Sequence, residues 1–405
     1  MQILKNLTNL EKIIAKKRER RKQTVEQVAK ILKEVRERGD EAVVEYTQRF
    51  DKVKLKIKDL RVSETEISAA FNELNSEIIS AIKTAIENIT KFQKALLPKS
   101  IRIKREDGKV LGTKFVPLKR IGIYVPAGSA PLVSSVYMCA IPAEVAGVKE
   151  IVLVSPPTKE KSINPFILAT AAMLKIKEIY KIGGAQAIAV LAYGTKTIKK
   201  VDKIVGPGNE YVVEAKRQVF GEVDIDLLAG PSEVLIIASK NANLDYILSD
   251  LEAQAEHYKG LVMVVTTSKK IANSLRRKKL NGFVVRVRNL EEAVKVANII
   301  APEHIEIFAK NPKSLLKKIE NAGAVFLGEN TPTALGDYLA GPSHVLPTQG
   351  SARFSSGLSV EDFLKEIHFV SYTKKALQKE SVALLKLASL EGMKKHMESV
   401  KRRLS

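Results

Sequence analysis

The chain has 405 residues, of which 45% are hydrophobic and 28% are charged, and this predicts a globular protein of two or more domains. Its single cysteine, Cys139, excludes an internal disulfide framework and fits a reducing cytoplasm. Apolar runs stay shorter than a membrane span and residues 1–5 lack the apolar stretch of a signal peptide, so we expect a cytoplasmic protein without membrane contact.

The formal net charge of +22 is of the kind that nucleic-acid-binding proteins carry. The basic residues are nevertheless dispersed, apart from short runs at residues 17–22 and 401–403, and no DNA- or RNA-binding motif accompanies them. We therefore favour a solvated basic surface that attracts anionic cofactors, and we expect no nucleic-acid partner. A non-enzymatic nucleic-acid-binding protein is an alternative that rests on charge alone.

The first hundred residues have the pattern of a helical scaffold. Leucine and isoleucine recur at helical spacing over residues 4–14, which predicts a short amphipathic helix. Residues 24–27 form a capping box that predicts the start of a second helix, with Gly39 as its end. A second capping box at residues 63–66 predicts a long helical region to about Leu97.

From residue 101 the pattern changes to short apolar runs. Residues 101–106 and 110–115 predict a β-hairpin, and two series of runs then alternate with helical segments. This alternation is typical of parallel sheets, so the predicted fold class is α/β, with two Rossmann-like parallel-sheet domains and small helical segments at both ends. The first series covers 121–124, 151–154, 179–182, 203–205 and 223–225; the second covers 234–238, 261–265, 283–287, 305–309 and 324–327.

Glycine-rich polar loops follow the strands of the first series. Ligands of open α/β sheets bind at the carboxyl ends of the strands, where glycine lets the backbone approach a phosphate. Each loop alone is as well explained by an ordinary tight turn, and the usual G-x-G-x-x-G fingerprint of dinucleotide sites does not occur. Together they predict a binding crevice, and they lie at residues 124–129, 183–186, 206–209 and 229–232.

The last part of the chain combines turn formers with an apolar tail. Residues 331–348 are rich in turn formers and include Asp337 and His344. From Ser359 onward we predict an amphipathic helical tail, whose leucines precede Glu391 and His396. An apolar tail with no sheet after it needs a partner surface, and docking on a second copy of the chain would supply one.

Residues 250–257 have the composition of a helix that carries Gln254 and His257 on one face, three residues apart. An imidazole and an amide oxygen can share one divalent metal if further ligands come from elsewhere. The alternative is a surface helix in which His257 lies near the C-terminus, where a cation suits the helix dipole.

Other residues of the chain also suit chemistry. Glu303 and His304 precede a predicted strand and offer two adjacent bases, although a local ion pair and a strand-end histidine would also explain them. We predict that His344 is a loop residue held by hydrogen bonds and that His368 packs within a helix or strand. Cys139 could attack an aldehyde, but its apolar surroundings favour a buried small hydrophobe.

Taken in order, the motifs resemble those of the histidinol dehydrogenase family from about residue 20 to the C-terminus. The resemblance implies a zinc enzyme that oxidises L-histidinol to L-histidine through histidinaldehyde with two NAD⁺, in histidine biosynthesis. The matching motifs lie at residues 124–131, 183–188, 206–212, 229–234, 254–257, 301–304, 336–338, 344–348 and 356–359.

The resemblance also implies a role for each matching residue and a homodimer with shared sites. Glu303 and His304 match the acid/base pair. NAD contacts would be Tyr124, Gln186 and Asn209. The zinc ligands would be Gln254, His257, Asp337 and His396. The substrate contacts would be Ser232, Gln254, His257, His304, Asp337, Glu391 and His396.

We divide the chain into four parts on this basis. Residues 1–20 are an N-terminal helical segment, and residues 21–120 with 233–357 form an α/β domain that holds the metal and acid/base residues. Residues 121–232 form the NAD-binding α/β domain, and the helical tail 358–405 completes the site of the partner subunit, with which it is exchanged. The alternative enzyme is a zinc hydrolase in which Glu303 activates water.

Overall fold

The structure, a computed structural model, describes residues 1–4, 22–127, 131–257 and 259–405. It consists of two compact units, one formed by residues 1–96 and 119–363 and the other by residues 97–118 and 364–405. The helix predicted over residues 4–14 lies outside the described residues except for Leu4, which ends strand β1 (Gln2–Leu4). Within the described ranges, no helix combines the length and hydrophobicity needed to cross a membrane.

The larger unit begins with four helices, α1 (Lys22–Arg38), α2 (Asp40–Phe50), α3 (Glu64–Phe71) and α4 (Ser76–Ala95). The predicted helix start at residues 24–27 is wrong, because Lys22 and Gln23 are already helical and Thr24 is buried inside α1. The capping box at Ser63 is confirmed: its Oγ accepts from the Glu66 N–H at 3.2 Å, and the Glu66 carboxylate accepts from the Ser63 N–H at 2.9 Å.

The long helix predicted to follow Ser63 is divided in two. α3 ends at Phe71, and the Asn75 side chain then caps α4 by accepting a hydrogen bond from the Ile78 N–H at 2.9 Å. Asparagine competes with the helical backbone for hydrogen bonds, so it favours a helix start over a helix interior.

The first sheet has five parallel strands in the order β6-β5-β4-β7-β8. The order reverses between β4 and β7, and such a switch point is where open α/β sheets bind ligands. Its core also contains apolar side chains of α1 and α2. The strands are β4 (Arg120–Tyr124), β5 (Glu150–Ser155), β6 (Glu178–Lys181), β7 (Lys203–Val205) and β8 (Asp224–Ile225). The helices are α5 (Val133–Ala146), α6 (Pro165–Met173), α7 (Gly184–Tyr193) and α8 (Glu210–Val219).

The second sheet repeats this order, as β11-β10-β9-β12-β13, with β1 added in parallel at the β11 edge. The strands are β9 (Glu233–Ala238), β10 (Leu261–Thr266), β11 (Gly282–Arg286), β12 (His304–Phe308) and β13 (Ala324–Leu327). The helices are α9 (Leu244–Ala255), α10 (Lys269–Arg276), α11 (Leu290–Ile300), α12 (Pro312–Leu316) and α13 (Thr333–Tyr338). Short 3-10 turns lie at Ile57–Asp59, Ser351–Arg353 and Val360–Phe363. The predicted α/β class with two Rossmann-like sheets is confirmed.

The smaller unit is a three-stranded antiparallel sheet with two helices. Strands β2 (Arg102–Lys104) and β3 (Val110–Pro117) form the predicted hairpin, and β14 (Leu364–Ser371) pairs with β3 over its whole length. The prediction of continuous helix after Ser359 is therefore wrong for β14, which pairs with a strand distant in the sequence. Helices α14 (Lys374–Leu390) and α15 (Lys394–Leu404) complete this unit.

The division into four parts remains a prediction, and the packing bears on two of its boundaries. The apolar side chains of α1 and α2 pack with the first sheet, whereas the predicted division groups residues 21–120 with the second sheet. Residues 97–118, which the division also places there, belong with the C-terminal segment in the smaller unit.

Candidate active site

The adjacent residues Glu303 and His304 lie at the amino end of β12 and are both buried. The Glu303 carboxylate oxygen Oε2 accepts hydrogen bonds from the Ser232 hydroxyl at 2.6 Å and from the Glu233 N–H at 2.8 Å. The Gln254 amide nitrogen donates to the same Ser232 hydroxyl at 2.8 Å. Three separate segments of the sequence are thus joined by a chain of hydrogen bonds that runs from Gln254 through Ser232 to Glu303.

Burial and hydrogen bonding act in opposite directions on Glu303. Burial raises the pKa of this carboxyl to about 7, while the hydrogen bonds from Ser232 and from the Glu233 backbone lower it. A carboxyl with a pKa near neutrality can both take up and release a proton at physiological pH, as a general acid/base must.

His304 has one ring nitrogen engaged and one open. Its Nδ1 lies 3.3 Å from the Glu233 carbonyl oxygen, and since a carbonyl only accepts, Nδ1 carries the proton in this contact. Nε2 then has a lone pair; it is buried, has no hydrogen-bond partner among the residues described, and lies 4.0 Å from an Asp337 carboxylate oxygen. Burial lowers the pKa of His304, so the ring is a neutral base.

Two further charged groups act on this pair. Asp337, on α13, raises the pKa values of Glu303 and His304. His257, which follows α9, lowers both of them. His257 is exposed, whereas Gln254 on the same helix is buried. The larger unit thus brings the predicted residues Ser232, Gln254, His257 and Asp337 to one end of the second sheet, around Glu303 and His304.

His344 supports the backbone of the helix that carries Asp337. Its Nδ1 lies 3.0 Å from the Asp337 carbonyl oxygen, and its Nε2 lies 3.4 Å from the Ser135 hydroxyl. Burial lowers the pKa of His344 to about 4. The prediction that this residue is held by hydrogen bonds is confirmed.

Several polar groups lie at the switch point of the first sheet. The Tyr124 hydroxyl at the end of β4 accepts a hydrogen bond from the Gly184 N–H at 3.1 Å, and burial raises the pKa of Tyr124 to about 12. Gly206, after β7, has φ +115°, and a Cβ there would overlap the Tyr124 carbonyl oxygen. The Asn209 side chain caps α8 by accepting hydrogen bonds from the N–H groups of Tyr211 and Val212.

Gln186 adds an unsatisfied amide at this switch point. Both amide atoms are buried, and neither has a hydrogen-bond partner in the described parts of the chain. Buried amides are normally paired because an unmade hydrogen bond is costly. This amide offers a donor and an acceptor that a polar cofactor such as a dinucleotide would satisfy.

The donor atoms for a metal are nitrogen and oxygen. Among the described residues there is no group of three or more His, Cys, Asp or Glu side chains that could hold an ion. The predicted set has only His257 and Asp337 of these types in the larger unit, with the Gln254 amide beside them, and its second histidine, His396, is in the smaller unit. This donor set without thiolate suits zinc with open positions.

Four other predicted residues can be placed individually. Glu391 directly follows α14 and His396 lies on α15, and both are exposed. His368 lies in strand β14. Its side chain is 74% exposed, so the prediction that it packs against other residues is wrong. Cys139 is fully buried in α5, and burial raises the pKa of its thiol, which confirms a buried small hydrophobe.

Sequence reasoning missed a buried carboxyl group beside the site. Glu306 lies two residues beyond His304 on the same face of β12, and its Oε1 accepts from the Thr333 N–H at the start of α13 at 2.9 Å. Burial, followed by the charge of Asp250 on α9, raises the pKa of Glu306 to about 8. A charged residue inside an otherwise apolar strand was the available signal.

Comparisons with known proteins agree with this geometry. The family model described as histidinol dehydrogenase matches residues 14–404. The chain is 45% identical over 390 residues to the histidinol dehydrogenase of Clostridium acetobutylicum, covering 92% of this chain and 90% of the relative. It is 46% identical over 396 residues to that of Halalkalibacterium halodurans, covering 93% of both chains.

A solved structure shows the same architecture. The crystal structure of histidinol dehydrogenase from Elizabethkingia anophelis superimposes with a TM-score of 0.88 at 38% identity, covering 100% of this chain and 93% of that chain. Since a model of the family spans nearly the whole sequence and its members share close to half of the residues, the chain belongs to the histidinol dehydrogenase family.

Proposed function

We propose that this protein oxidises L-histidinol to L-histidine in two successive two-electron steps, with NAD⁺ as the oxidant and zinc in the site. The observation that carries this proposal is the buried Glu303–His304 pair, in which a carboxyl titrating near pH 7 stands beside a neutral imidazole with an open Nε2. Family membership supplies the substrate class.

The two bases suit the two steps. Oxidation of the alcohol requires a base that removes the hydroxyl proton, and the unprotonated Nε2 of His304 is suited to take it. Oxidation of the aldehyde proceeds from its hydrate, so a second base must take a proton from water, and the Glu303 carboxylate is adjacent. The Ser232 and Gln254 side chains hold Glu303 in place.

The residues present fit both cofactors. For zinc, the Gln254 amide nitrogen is engaged with Ser232, which leaves its oxygen for the metal, beside His257, Asp337 and His396 of the partner subunit. For NAD⁺, the unsatisfied Gln186 amide, Tyr124 and Asn209 line the switch point. When bound, zinc offers coordination positions to the substrate's amine and imidazole nitrogens, and NAD⁺ accepts the hydride from the carbinol carbon.

We further propose a homodimer in which the tail of one subunit brings Glu391 and His396 to the substrate in the partner's site, where Ser232, Gln254, His257, His304 and Asp337 also contact it. The smaller unit supports this by exposing large apolar side chains, including Val382 at 79% and Leu390 at 75%, since contiguous exposed apolar surface marks association sites. The proposed location is the cytoplasm, whose reducing conditions suit the lone buried Cys139.

Absorbance at the NADH band tests the function directly. We expect two NADH for each L-histidinol consumed, loss of activity after chelation, and recovery on adding zinc. One NADH per histidinol would overturn the two-step proposal. The zinc hydrolase alternative is not supported, since family members are dehydrogenases, and NADH formation with histidinol would be incompatible with it. Salt-dependent nucleic-acid binding without NADH formation would instead favour the alternative based on charge.

A further inference from the structure

A buried ion pair lies behind the loop that follows β7. Lys216 on α8 and Asp226, directly after β8, contact each other through their charged atoms, and their side chains are only 3% and 1% exposed. Removing two charges from water this completely is costly, so a buried ion pair is weak support for stability and calls for another explanation.

The two charges hold the two backbone groups of one glycine. The Asp226 carboxylate accepts a hydrogen bond from the Gly206 N–H at 2.7 Å, and the Lys216 ammonium donates to the Gly206 carbonyl oxygen at 3.0 Å. The second oxygen of Asp226 accepts from the Leu227 N–H at 2.6 Å. Both polar groups of Gly206 are therefore bonded to charged partners of the matching sign, which makes these hydrogen bonds stronger than neutral ones.

Gly206 is also the most constrained position of its loop. Its φ of +115° is one that residues with a side chain rarely adopt, and a Cβ would overlap the Tyr124 carbonyl oxygen. The loop runs from Gly206 to Asn209, which caps α8, and Lys216 projects back from that same helix. The ion pair thus fixes the loop at its start, while Asn209 fixes it at its end.

We propose that the Lys216–Asp226 pair is a positioning device for the dinucleotide: it fixes the Gly206 backbone so that the Gly206–Asn209 loop is preformed at the switch point of the first sheet. The inference rests on the proposed function, because it takes the ligand at this switch point to be NAD⁺. Neither residue touches the acid/base pair, which is built on the second sheet. The pair acts on NAD⁺ binding through the loop, and histidinol binding is independent of it.

The test compares two neighbouring positions of α8. Lys216→Met removes the ammonium group and retains the length of the chain. Arg217→Met is the matched control, since it breaks an ion pair with Glu214 on the same helix that does not involve Gly206. For each variant, KM is measured for NAD⁺ and for histidinol, and the Kd for NAD⁺ is measured by calorimetry without histidinol.

We expect Lys216→Met to raise both the KM and the Kd for NAD⁺ by roughly tenfold or more, the effect of misplacing a binding element, and to leave the KM for histidinol within about twofold. Arg217→Met should leave all three constants near those of the wild type. A Lys216→Met protein that is less stable but has unchanged NAD⁺ constants, or one in which both KM values rise equally, would overturn the inference.

A second variant covers the case in which Lys216→Met does not fold. The double variant Lys216→Met/Asp226→Asn leaves no unpaired charge in the interior and keeps an oxygen that can accept from the Gly206 N–H, so it should fold and still weaken NAD⁺ binding selectively; a wild-type Kd for this variant would count against the pair. Wild-type protein that neither binds NAD⁺ nor forms NADH would overturn the proposed function itself. Wild-type protein that does both, beside unaffected variants, would overturn the positioning role alone.

Discussion

In the proposed role of Glu303, its carboxyl must be ionised to take a proton from water, and its pKa of about 7 makes this dependent on pH. We therefore expect aldehyde oxidation to increase as the pH rises through about 7 and to level off above it. Glu303→Gln should lose about 10²- to 10⁴-fold in this step, together with the pH dependence, and lose less in alcohol oxidation. Rates started separately from histidinol and from histidinaldehyde will show this. An equal loss in both steps would contradict the assigned roles.

Glu306 predicts a pH dependence of stability. Its folded-state pKa of about 8 lies above the ordinary value of 4.5, so the folded protein binds more protons than the unfolded chain. The contribution of Glu306 to the free energy of unfolding is fully present below about pH 4.5 and is lost as the pH rises through about 8.

Glu306→Gln stays neutral at every pH, so its melting temperature should fall less than that of the wild type between pH 5 and 9, a range chosen to bracket the shift. Glu291→Gln is the control, because the pKa of that exposed carboxyl is lowered by Lys318, in the opposite direction. Parallel melting curves for the wild type and Glu306→Gln would show that the proton is not held in the folded state.

Among the elements, the buried parallel strands were predicted most accurately. β9 and β10 are buried on both faces, and such strands form continuous runs of aliphatic residues that stand out in a sequence. β14 was missed because seven of its eight residues are exposed, so no buried apolar face marks it in the sequence, and because its partner β3 lies far away in the chain. Pairing of this kind depends on tertiary context, which local pattern does not contain.

Two glycines separate the effect of backbone strain from that of crowding. Gly206 and Gly221 both have positive φ, +115° and +105°, but a Cβ at Gly221 would meet nothing within 4 Å. Gly221→Ala should cost about 1–3 kcal/mol of stability through strain and leave the KM for NAD⁺ unchanged. Gly206→Ala should cost more and raise that KM at least about tenfold. Unfolding in denaturant and steady-state kinetics measure the two effects, and equal kinetics for both variants would refute the role of the crowded turn.

At the scale of the molecule, the two sheets share one strand order but use opposite ends. Tyr124 and Gly206 lie at the carboxyl ends of their strands, whereas Glu303, His304 and Ser232 lie at the amino ends of β12 and β9. The general rule for α/β folds predicts only the first location. Resemblance to a family supplied the remaining site residues, but the bonds between Gln254, Ser232 and Glu303 join segments that no local pattern connects.

The proposed exchange of tails makes a quantitative prediction for mixed dimers. His304→Ala removes a base of the larger unit and His396→Ala removes a ligand of the smaller one, so each protein alone should be inactive. If each site combines the larger unit of one subunit with the tail of its partner, a mixed dimer has one intact site and one site with both defects. Random pairing at equal amounts then restores about one quarter of the wild-type activity.

The matched control combines His304→Ala with Glu303→Gln, because these two defects lie in the same unit and no pairing of chains can produce an intact site. Co-expression with two different tags and sequential purification would isolate the mixed dimers, in which half of the sites should be active. If tails are not exchanged, every site retains one defect, and the His304→Ala/His396→Ala dimers should be as inactive as the control. Activity in the first mixture and its absence in the second would therefore place His396 in the site of the partner subunit.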